Sequence, residues 1–330
     1  MTIAASAVFS PTAADVNKGT KVVGNNVLLS PSPGSTPKNL LVVFLPGTGY
    51  TPGDSGKYLE TAAALGFHTI GLAYVNGTSA NRTCRKDRSP DCHGEFRREV
   101  IYGKDVSSRV KVKESDSIVD RLHAALTAQG FGQFKTDAGG IDWSKVVVTG
   151  HSQGAGHAAV LGIDESVARV VMLAGPNDLL KISLPSWIKR SSNTDPSLWY
   201  GLTAQRDNSF GTQMKAWHEF GLADVVDAAE VPTGAGGEQR LVTTIQADDE
   251  RDHESVVVDD FLALEDGEAR LVTSWRYLLT GGGASMDAGA TVSAAAVATT
   301  STALTTISSA TTSNNPMASN TTANPANAGI

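Results

Sequence analysis

The sequence predicts an α/β fold: a mostly parallel central sheet with helices on both faces. Short apolar runs alternate with helical patterns through the middle of the chain, and several runs are apolar at every position. Strands of that kind are buried on both faces, as in parallel sheets packed between layers of helices. With 330 residues, 41% of them hydrophobic, the chain has enough apolar area for one large core.

The individual elements follow from local pattern. A short apolar run alone fits either a strand or a buried helix, so the regular alternation supports the assignment. In residues 114–129, Ile118, Leu122 and Leu126 form one apolar helical stripe. Strands are predicted at 40–45, 68–75, 145–149, 167–173, 198–204 and 241–246, and further helices at 58–65, after residue 152 and near 271–279.

Composition divides the chain into three parts. We expect an N-terminal extension at 1–19, one α/β domain at 20–280 and a low-complexity tail at 281–330. The tail consists mainly of Ser, Thr, Ala, Asn and Gly, and Asp287 is its only charged residue. Such a segment buries too little apolar area to offset the entropy of ordering, so we expect it to be disordered. Its Ser/Thr richness is typical of O-glycosylated stalks.

Charge and hydropathy argue against nucleic-acid binding and against a membrane-spanning helix. The net charge is -7 and the sequence pI is about 5.5, without the basic stripe typical of nucleic-acid binding. The sequence has no apolar run near the roughly 18 residues of a membrane-spanning helix. We therefore expect neither a nucleic-acid partner nor a membrane span.

Two cysteines, Cys84 and Cys92, lie close together in a polar stretch. We expect a disulfide between them, which would stabilise the fold by about 2–3 kcal/mol on the chain-entropy model. Sequons for N-glycosylation occur at Asn76, Asn81 and Asn320, and the first two precede the cysteine pair. Together these features are typical of a disulfide-pinned, glycosylated loop in a secreted or cell-surface protein. The N-terminal residues do not form a convincing signal peptide, so a cytoplasmic location is the alternative.

The strongest chemical motif is the pentapeptide G-H-S-Q-G around Ser152. It follows the β-branched run at 145–149 and precedes a helix of small residues. A serine on a tight strand-to-helix turn needs unusual backbone angles and brings chain segments very close, and Gly150 and Gly154 lack the Cβ atoms that would clash. The motif predicts that Ser152 is a nucleophile at the carboxyl edge of the sheet.

A nucleophilic serine needs a base, and the base needs an orienting carboxylate. His253 lies in a loop after the last predicted strand, whereas the other six histidines lie in strand or helix patterns, in the cysteine loop or beside Ser152. Asp207 follows the strand at 198–204. Asp178 follows the preceding strand at the same edge and is an alternative acid. The sequence leaves the choice between the two carboxylates open.

A tetrahedral oxyanion needs pre-aimed backbone N–H groups. One donor should be the N–H of Gln153, directly after the nucleophile. The other should come from the turn that ends the strand at 40–45, and Thr48, flanked by Gly47 and Gly49, is the best candidate. No G-K-[ST] follows that turn, so a phosphate-binding loop is disfavoured.

These motifs resemble the α/β-hydrolase superfamily over residues 20–280. The resemblance rests on the P-G-T-G turn, the G-H-S-Q-G elbow and the order of Ser152, Asp207 and His253. It implies a single α/β-hydrolase domain with an esterase-like or lipase-like catalytic triad and no cofactor. Serine at the nucleophile position disfavours the dehalogenase branch, and the turn differs from the H-G-G-G form of some lipases.

Two segments could form the walls of a pocket. Residues 76–113 follow a strand at the elbow edge and contain Arg97 and Arg98, which we interpret as surface ion-pairing residues rather than anion ligands. Residues 179–197 form either an apolar lid or a segment packed into the core. A metal site at Cys92 and the neighbouring histidine is disfavoured, because too few ligands lie nearby in the sequence.

The leading hypothesis is hydrolysis of a small-molecule or polymeric carboxylic ester through an acyl-enzyme intermediate. Two alternatives use the same fold: an acyltransferase, in which an alcohol replaces water, and a non-catalytic surface protein with the tail as its stalk. The sequence predicts neither the identity of the substrate nor the oligomeric state.

Overall fold

The structure is a computed structural model that describes residues 7–9, 22, 24–228, 237–245 and 251–281. In this part of the chain one large sheet has nine strands. They are β1 (Ala7–Phe9), β2 (Asn26–Leu29), β3 (Leu41–Leu45), β4 (His68–Gly71), β5 (Val146–His151), β6 (Arg169–Leu173), β7 (Trp199–Ala204), β8 (Val225–Asp227) and β9 (Arg240–Thr243).

The order across the sheet is β1-β2-β4-β3-β5-β6-β7-β9-β8. The strands from β4 to β8 in this order pair in parallel, and β1 and β2 pair antiparallel at one edge. A separate small hairpin joins β10 (Leu264–Glu265) and β11 (Glu268–Ala269). The predicted mostly parallel sheet is therefore confirmed.

Seven α-helices accompany the sheet within the described residues. They are α1 (Gly56–Ala64), α2 (Ala80–Cys84), α3 (Cys92–Tyr102), α4 (Ile118–Ala128), α5 (Gln153–Asp164), α6 (Phe210–Glu219) and α7 (Val272–Thr280). None of these helices is long and apolar enough to cross a membrane.

The sheet separates two hydrophobic clusters, one on each face. In β3, Leu41 and Val43 belong to one cluster while Val42 and Phe44 belong to the other, and all four are buried. Helices α3, α4 and α5 pack on the first face, and α1 and α7 pack on the second. This two-sided burial explains why the run is apolar at every position. Each such side chain contributes about 1.5–3 kcal/mol.

The stretch 76–113 differs from the predicted surface loop. It contains α2 and α3, and a disulfide joins Cys84 at the end of α2 to Cys92 at the start of α3. Phe96 and Val100 of α3 lie in the core beneath the sheet. Helix α3 is therefore largely buried in the domain, whereas the connections on either side of it include exposed residues such as Arg85 and Lys104.

The two ends of the chain are described only in part. Strand β1 lies inside the predicted N-terminal extension, yet it pairs with β2 and so belongs to the sheet. At the other end, Gly281 ends α7 in a left-handed conformation with φ 71°. The rest of the predicted tail, including the sequon at Asn320, lies outside the described residues.

Candidate active site

Ser152 occupies the sharp turn between β5 and α5. Its φ is 54°, in a region that residues other than glycine rarely adopt. A Cβ on Gly150 would collide with the backbone of Gly154, and one on Gly154 would collide with the carbonyl oxygen of Leu45. The two glycines therefore permit the close approach that holds Ser152 at the carboxyl edge of the sheet.

His253 and Asp207 meet Ser152 at this edge. The Ser152 Oγ and the His253 Nε2 are 2.8 Å apart, and the His253 Nδ1 and the Asp207 Oδ2 are 2.6 Å apart. With the Nδ1 proton donated to the carboxylate, Nε2 has a free lone pair to accept the serine proton. The loops after β5, β7 and β9 supply these three side chains. They converge because parallel strands end at a common edge.

Asp207 is buried and held from several directions. Its carboxylate accepts hydrogen bonds from the Ser209 backbone N–H at 2.7 Å and the Gln213 amide at 2.9 Å, in addition to the one from His253. Burial raises the pKa of Asp207, but these bonds and the charge of the imidazole outweigh it and hold the pKa below its usual value. The carboxylate therefore stays ionised beside the histidine.

The pKa of His253 shifts the other way. Burial lowers it, but the hydrogen bond and charge of Asp207, together with the charge of Glu254, raise the pKa of His253 above its usual value overall. An imidazole that binds a proton more strongly is a better general base when it is neutral.

His151 contacts His253 through a hydrogen bond and through its ring. Its Nε2 donates a hydrogen bond to the His253 backbone carbonyl at 3.0 Å, and the two rings are 5.0 Å apart. Burial and the neighbouring His253 lower the pKa of His151 to about 3. His151 is thus a neutral donor at ordinary pH and does not compete for the serine proton.

Asp178, the alternative acid, has different partners. It is fully buried, and Arg97 binds both carboxylate oxygens at 2.7 Å while the Trp187 indole N–H donates at 2.9 Å. Burial raises the pKa of Asp178, but Arg97 outweighs this effect and lowers it overall. The structure therefore pairs Asp178 with a guanidinium, and Asp207 is the carboxylate that it brings to His253.

The interpretation of Arg97 as a surface ion-pairing residue is wrong. Arg97 is 1% exposed, and besides Asp178 it donates to the Gln153 carbonyl at 2.9 Å. Its guanidinium packs against Gly156, where any Cβ would collide with it. The neighbouring Arg98 forms the more peripheral pair, with Asp164 at 2.6 Å.

The predicted oxyanion donors lie beside Ser152. A Cβ on Gly47 would come within 3.3 Å of the Ser152 Cβ, so the turn touches the serine. The Thr48 hydroxyl donates to the Gln153 side-chain carbonyl at 3.2 Å, which joins the two donor residues directly. Neither backbone N–H of Thr48 or Gln153 has an acceptor within the described residues. Both remain available for a substrate oxygen.

Asn76 holds this turn in place, a role that the sequence analysis missed. Its side-chain NH2 donates to the backbone carbonyls of Gly47 and Tyr50, both at 2.8 Å, and its backbone carbonyl accepts from the Gly49 N–H at 3.1 Å. Asn76 is fully buried, so its sequon does not offer a glycan acceptor in the folded protein. In the sequence, Asn76 follows the predicted strand at 68–75, and this position could have indicated that it lies at the same edge of the sheet as Ser152.

A cavity of about 370 Å³ opens above Ser152, Thr48, Gln153 and His253. No residue of 179–197 is among the described residues that line it. Trp187 and Ile188 of that segment lie in the core instead, each 1% exposed. Of the two alternatives for residues 179–197, the structure therefore shows the segment packed into the core and not the lid. No group of three or more His, Cys, Asp or Glu side chains in the described ranges is arranged to hold a metal ion.

No protein-family model and no curated protein matches this sequence. Similar solved structures include an α/β serine hydrolase homologue from Coxiella burnetii, with 12% identity, TM-score 0.38 and coverage of 81% of this chain and 97% of that one. Esterase 2 from Thermogutta terrifontis has 14% identity, TM-score 0.40 and coverage of 78% and 89%. The carboxylesterase EstE1 from a metagenomic library has 13% identity, TM-score 0.42 and coverage of 84% and 91%. We infer the function of this chain from its own side chains.

Proposed function

We propose that this protein is a serine hydrolase that cleaves a carboxylic ester through an acyl-enzyme intermediate. The observation that carries the proposal is the chain of two short hydrogen bonds, from Ser152 to His253 and from His253 to Asp207, beside an open cavity. A serine hydroxyl is unreactive at neutral pH, and this arrangement supplies the base that activates it.

In the first half-reaction the Ser152 Oγ attacks the ester carbonyl carbon while its proton moves to the His253 Nε2. The carbonyl oxygen becomes an oxyanion, which accepts hydrogen bonds from the backbone N–H groups of Thr48 and Gln153. The bond to the alcohol oxygen then breaks, and His253 gives its proton to that oxygen. In the second half-reaction water attacks the acyl-serine by the same steps, releases the acid and restores Ser152.

The electrostatics of the site support each step. Each oxyanion donor is typically worth about 2.7–4 kcal/mol of transition-state stabilisation. The positive end of α5 lies beneath Ser152 and favours negative charge there. Asp207 holds the imidazole in the tautomer that leaves Nε2 unprotonated and stabilises the imidazolium that forms.

Labelling with a fluorophosphonate probe tests the proposal, combined with turnover of p-nitrophenyl acetate. We expect labelling and turnover by the wild-type protein, and neither by Ser152→Ala. Ser144→Ala is a matched control, because Ser144 precedes β5 at the opposite end of the strand and its hydroxyl donates a local hydrogen bond to Asp142. Equal labelling of Ser152→Ala and the wild-type protein would rule out Ser152 as the nucleophile.

A further inference from the structure

We propose that the ester consists of a short acyl group and a neutral, hydroxyl-rich alcohol, such as a sugar or another polyol. This inference rests on the proposed function and names its substrate class. It starts from the walls of the cavity above Ser152. All sixteen described residues that line this cavity have polar or charged side chains.

Such walls disfavour a long acyl chain. Pockets for small molecules are mostly lined by apolar and aromatic side chains, because a hydrocarbon gains by leaving water only where its new surroundings are apolar. Here an alkyl chain would displace water from amides, hydroxyls and ionised groups without replacing the hydrogen bonds that they lose. We therefore expect the acyl group to be small, of about acetyl size.

The leaving alcohol must lie beside His253, since the His253 Nε2 gives it a proton. The lining residues that flank His253 and Asp207 in the chain include Arg206, Asn208, Asp252 and Glu254. The alcohol thus meets guanidinium and amide N–H donors together with amide and carboxylate acceptors. A hydroxyl group both donates and accepts, so several hydroxyls match this mixed wall better than a purely anionic or alkyl group does.

The charges on this wall occur in opposite pairs. Arg206 lies 3.5 Å from Asp252, and Arg251 lies 3.6 Å from Glu254. Because the pairs balance, these four described side chains carry no excess charge that would select an anionic or a cationic alcohol. These contacts are also longer than the 2.7 Å pair of Arg97 and Asp178, so ligand hydroxyls can insert between their partners at less cost.

The cavity volume suits this class of ligand. About 370 Å³ is near the lower end of the roughly 300–1,000 Å³ of small-molecule pockets. An acetyl group with one sugar ring falls within this size class.

A matched pair of substrates tests the alcohol, and an acyl series tests the acid. 6-O-acetylglucose and cyclohexylmethyl acetate are both primary acetates next to a six-membered ring, and they differ in the ring hydroxyls and the ring oxygen. We expect kcat/KM to be at least about tenfold higher for the sugar ester, the size of a few hydrogen bonds. We also expect kcat/KM to be lower for p-nitrophenyl decanoate than for p-nitrophenyl acetate. A ratio below tenfold, or a preference for the decanoate, would overturn the inference.

Variants test whether the lining residues that flank His253 and Asp207 cause the preference for the sugar ester. Asn208→Leu should lower the ratio of the two acetates about three- to tenfold, because it removes one donor and one acceptor. Gln205→Leu is the control, since Gln205 is exposed but is not among the described lining residues. An unchanged ratio in Asn208→Leu would contradict the assignment of this wall.

The fluorophosphonate probe separates the two proposals. If Ser152 is labelled but the sugar ester is not preferred, the substrate class is wrong and the hydrolase mechanism stands. If Ser152 is not labelled, the hydrolase mechanism itself is wrong.

Discussion

Two buried aspartates end neighbouring strands at the same edge of the sheet and have opposite surroundings. Asp207 follows β7 and is 6% exposed, and Asp178 follows β6 and is fully buried. Both have a pKa below the usual value for an aspartate. Both line the cavity above Ser152, but Asp207 contacts an imidazole, whereas Asp178 contacts a guanidinium and an indole.

The difference shows that the chemical role of a buried carboxylate depends on the side chain that it contacts. A guanidinium stays protonated at any pH that a protein tolerates, so Arg97 neutralises Asp178 but passes no proton. An imidazole gains and loses a proton near neutral pH, so Asp207 can orient a base. We therefore expect Asp207 to affect the rate and Asp178 to affect stability.

The largest expected effect is the loss of activity in Asp207→Asn. An asparagine amide favours the wrong tautomer of His253, so we expect kcat/KM for p-nitrophenyl acetate to fall about 10³- to 10⁴-fold. Urea denaturation serves as the control and should show a folded protein with a cooperative transition. A loss of less than tenfold would contradict the assignment of Asp207.

The second effect is on stability. Asp178→Asn leaves Arg97 as a buried charge without its counter-ion, so we expect the free energy of unfolding to fall by about 3–5 kcal/mol. Because the folded-state pKa of Asp178 is lowered, its contribution is present above the unfolded pKa and is lost as the pH falls through the folded value. The difference from wild type should therefore shrink below about pH 4. Urea titrations at pH 7 and pH 3 measure it.

Asp164→Asn is the matched control for this stability effect. Asp164 pairs with Arg98, with side chains 17% and 20% exposed, so its loss should cost at most about 1 kcal/mol. If Asp178→Asn instead lowered kcat/KM as strongly as Asp207→Asn, the proposed division of roles would be wrong.

The sequence singled out the side chains that meet at the candidate site but could not choose between these carboxylates. Ser152, Asp207 and His253 each follow an apolar run, and parallel strands bring the ends of such runs together. Asp178 satisfies the same rule. What separates the two is Arg97, which lies 81 residues before Asp178 in sequence and reaches it only through the packing of α3.

Helix α3 was missed for a related reason. Its polar residues suggested an exposed segment, yet Glu99 is 1% exposed and accepts backbone N–H bonds from Val106, Ser107 and Val112. Composition records that a residue is charged, but not that its partners lie inside the fold. Buried polar networks depend on such partners, which sequence patterns alone do not show.

A third variant tests whether the two aspartate regions are independent. Arg97 bonds Asp178 and also the carbonyl of Gln153, whose N–H is a proposed oxyanion donor. Arg97→Lys keeps the charge beside Asp178, but its ammonium lacks the guanidinium fork that reaches both groups. We expect kcat to fall about tenfold with little change in KM, the effect of one mispositioned hydrogen bond. In the control Arg98→Lys, kcat should stay unchanged, and an equal loss there would contradict a positioning role for Arg97.

The smallest expected effect is a shift of the pH profile, and it concerns only the His253 region. In the proposed mechanism the neutral imidazole is the base, so kcat/KM should rise with pH through the raised pKa of His253, with a midpoint above the ordinary value of about 6.5. The Glu254 carboxylate favours the imidazolium, so Glu254→Gln should move the midpoint to lower pH, by less than about one unit. Glu268→Gln on the exposed hairpin is the control and should leave the midpoint unchanged. A midpoint that stays fixed or rises in Glu254→Gln would show that Glu254 does not act on His253, and Asp207 would then be left as its principal electrostatic partner.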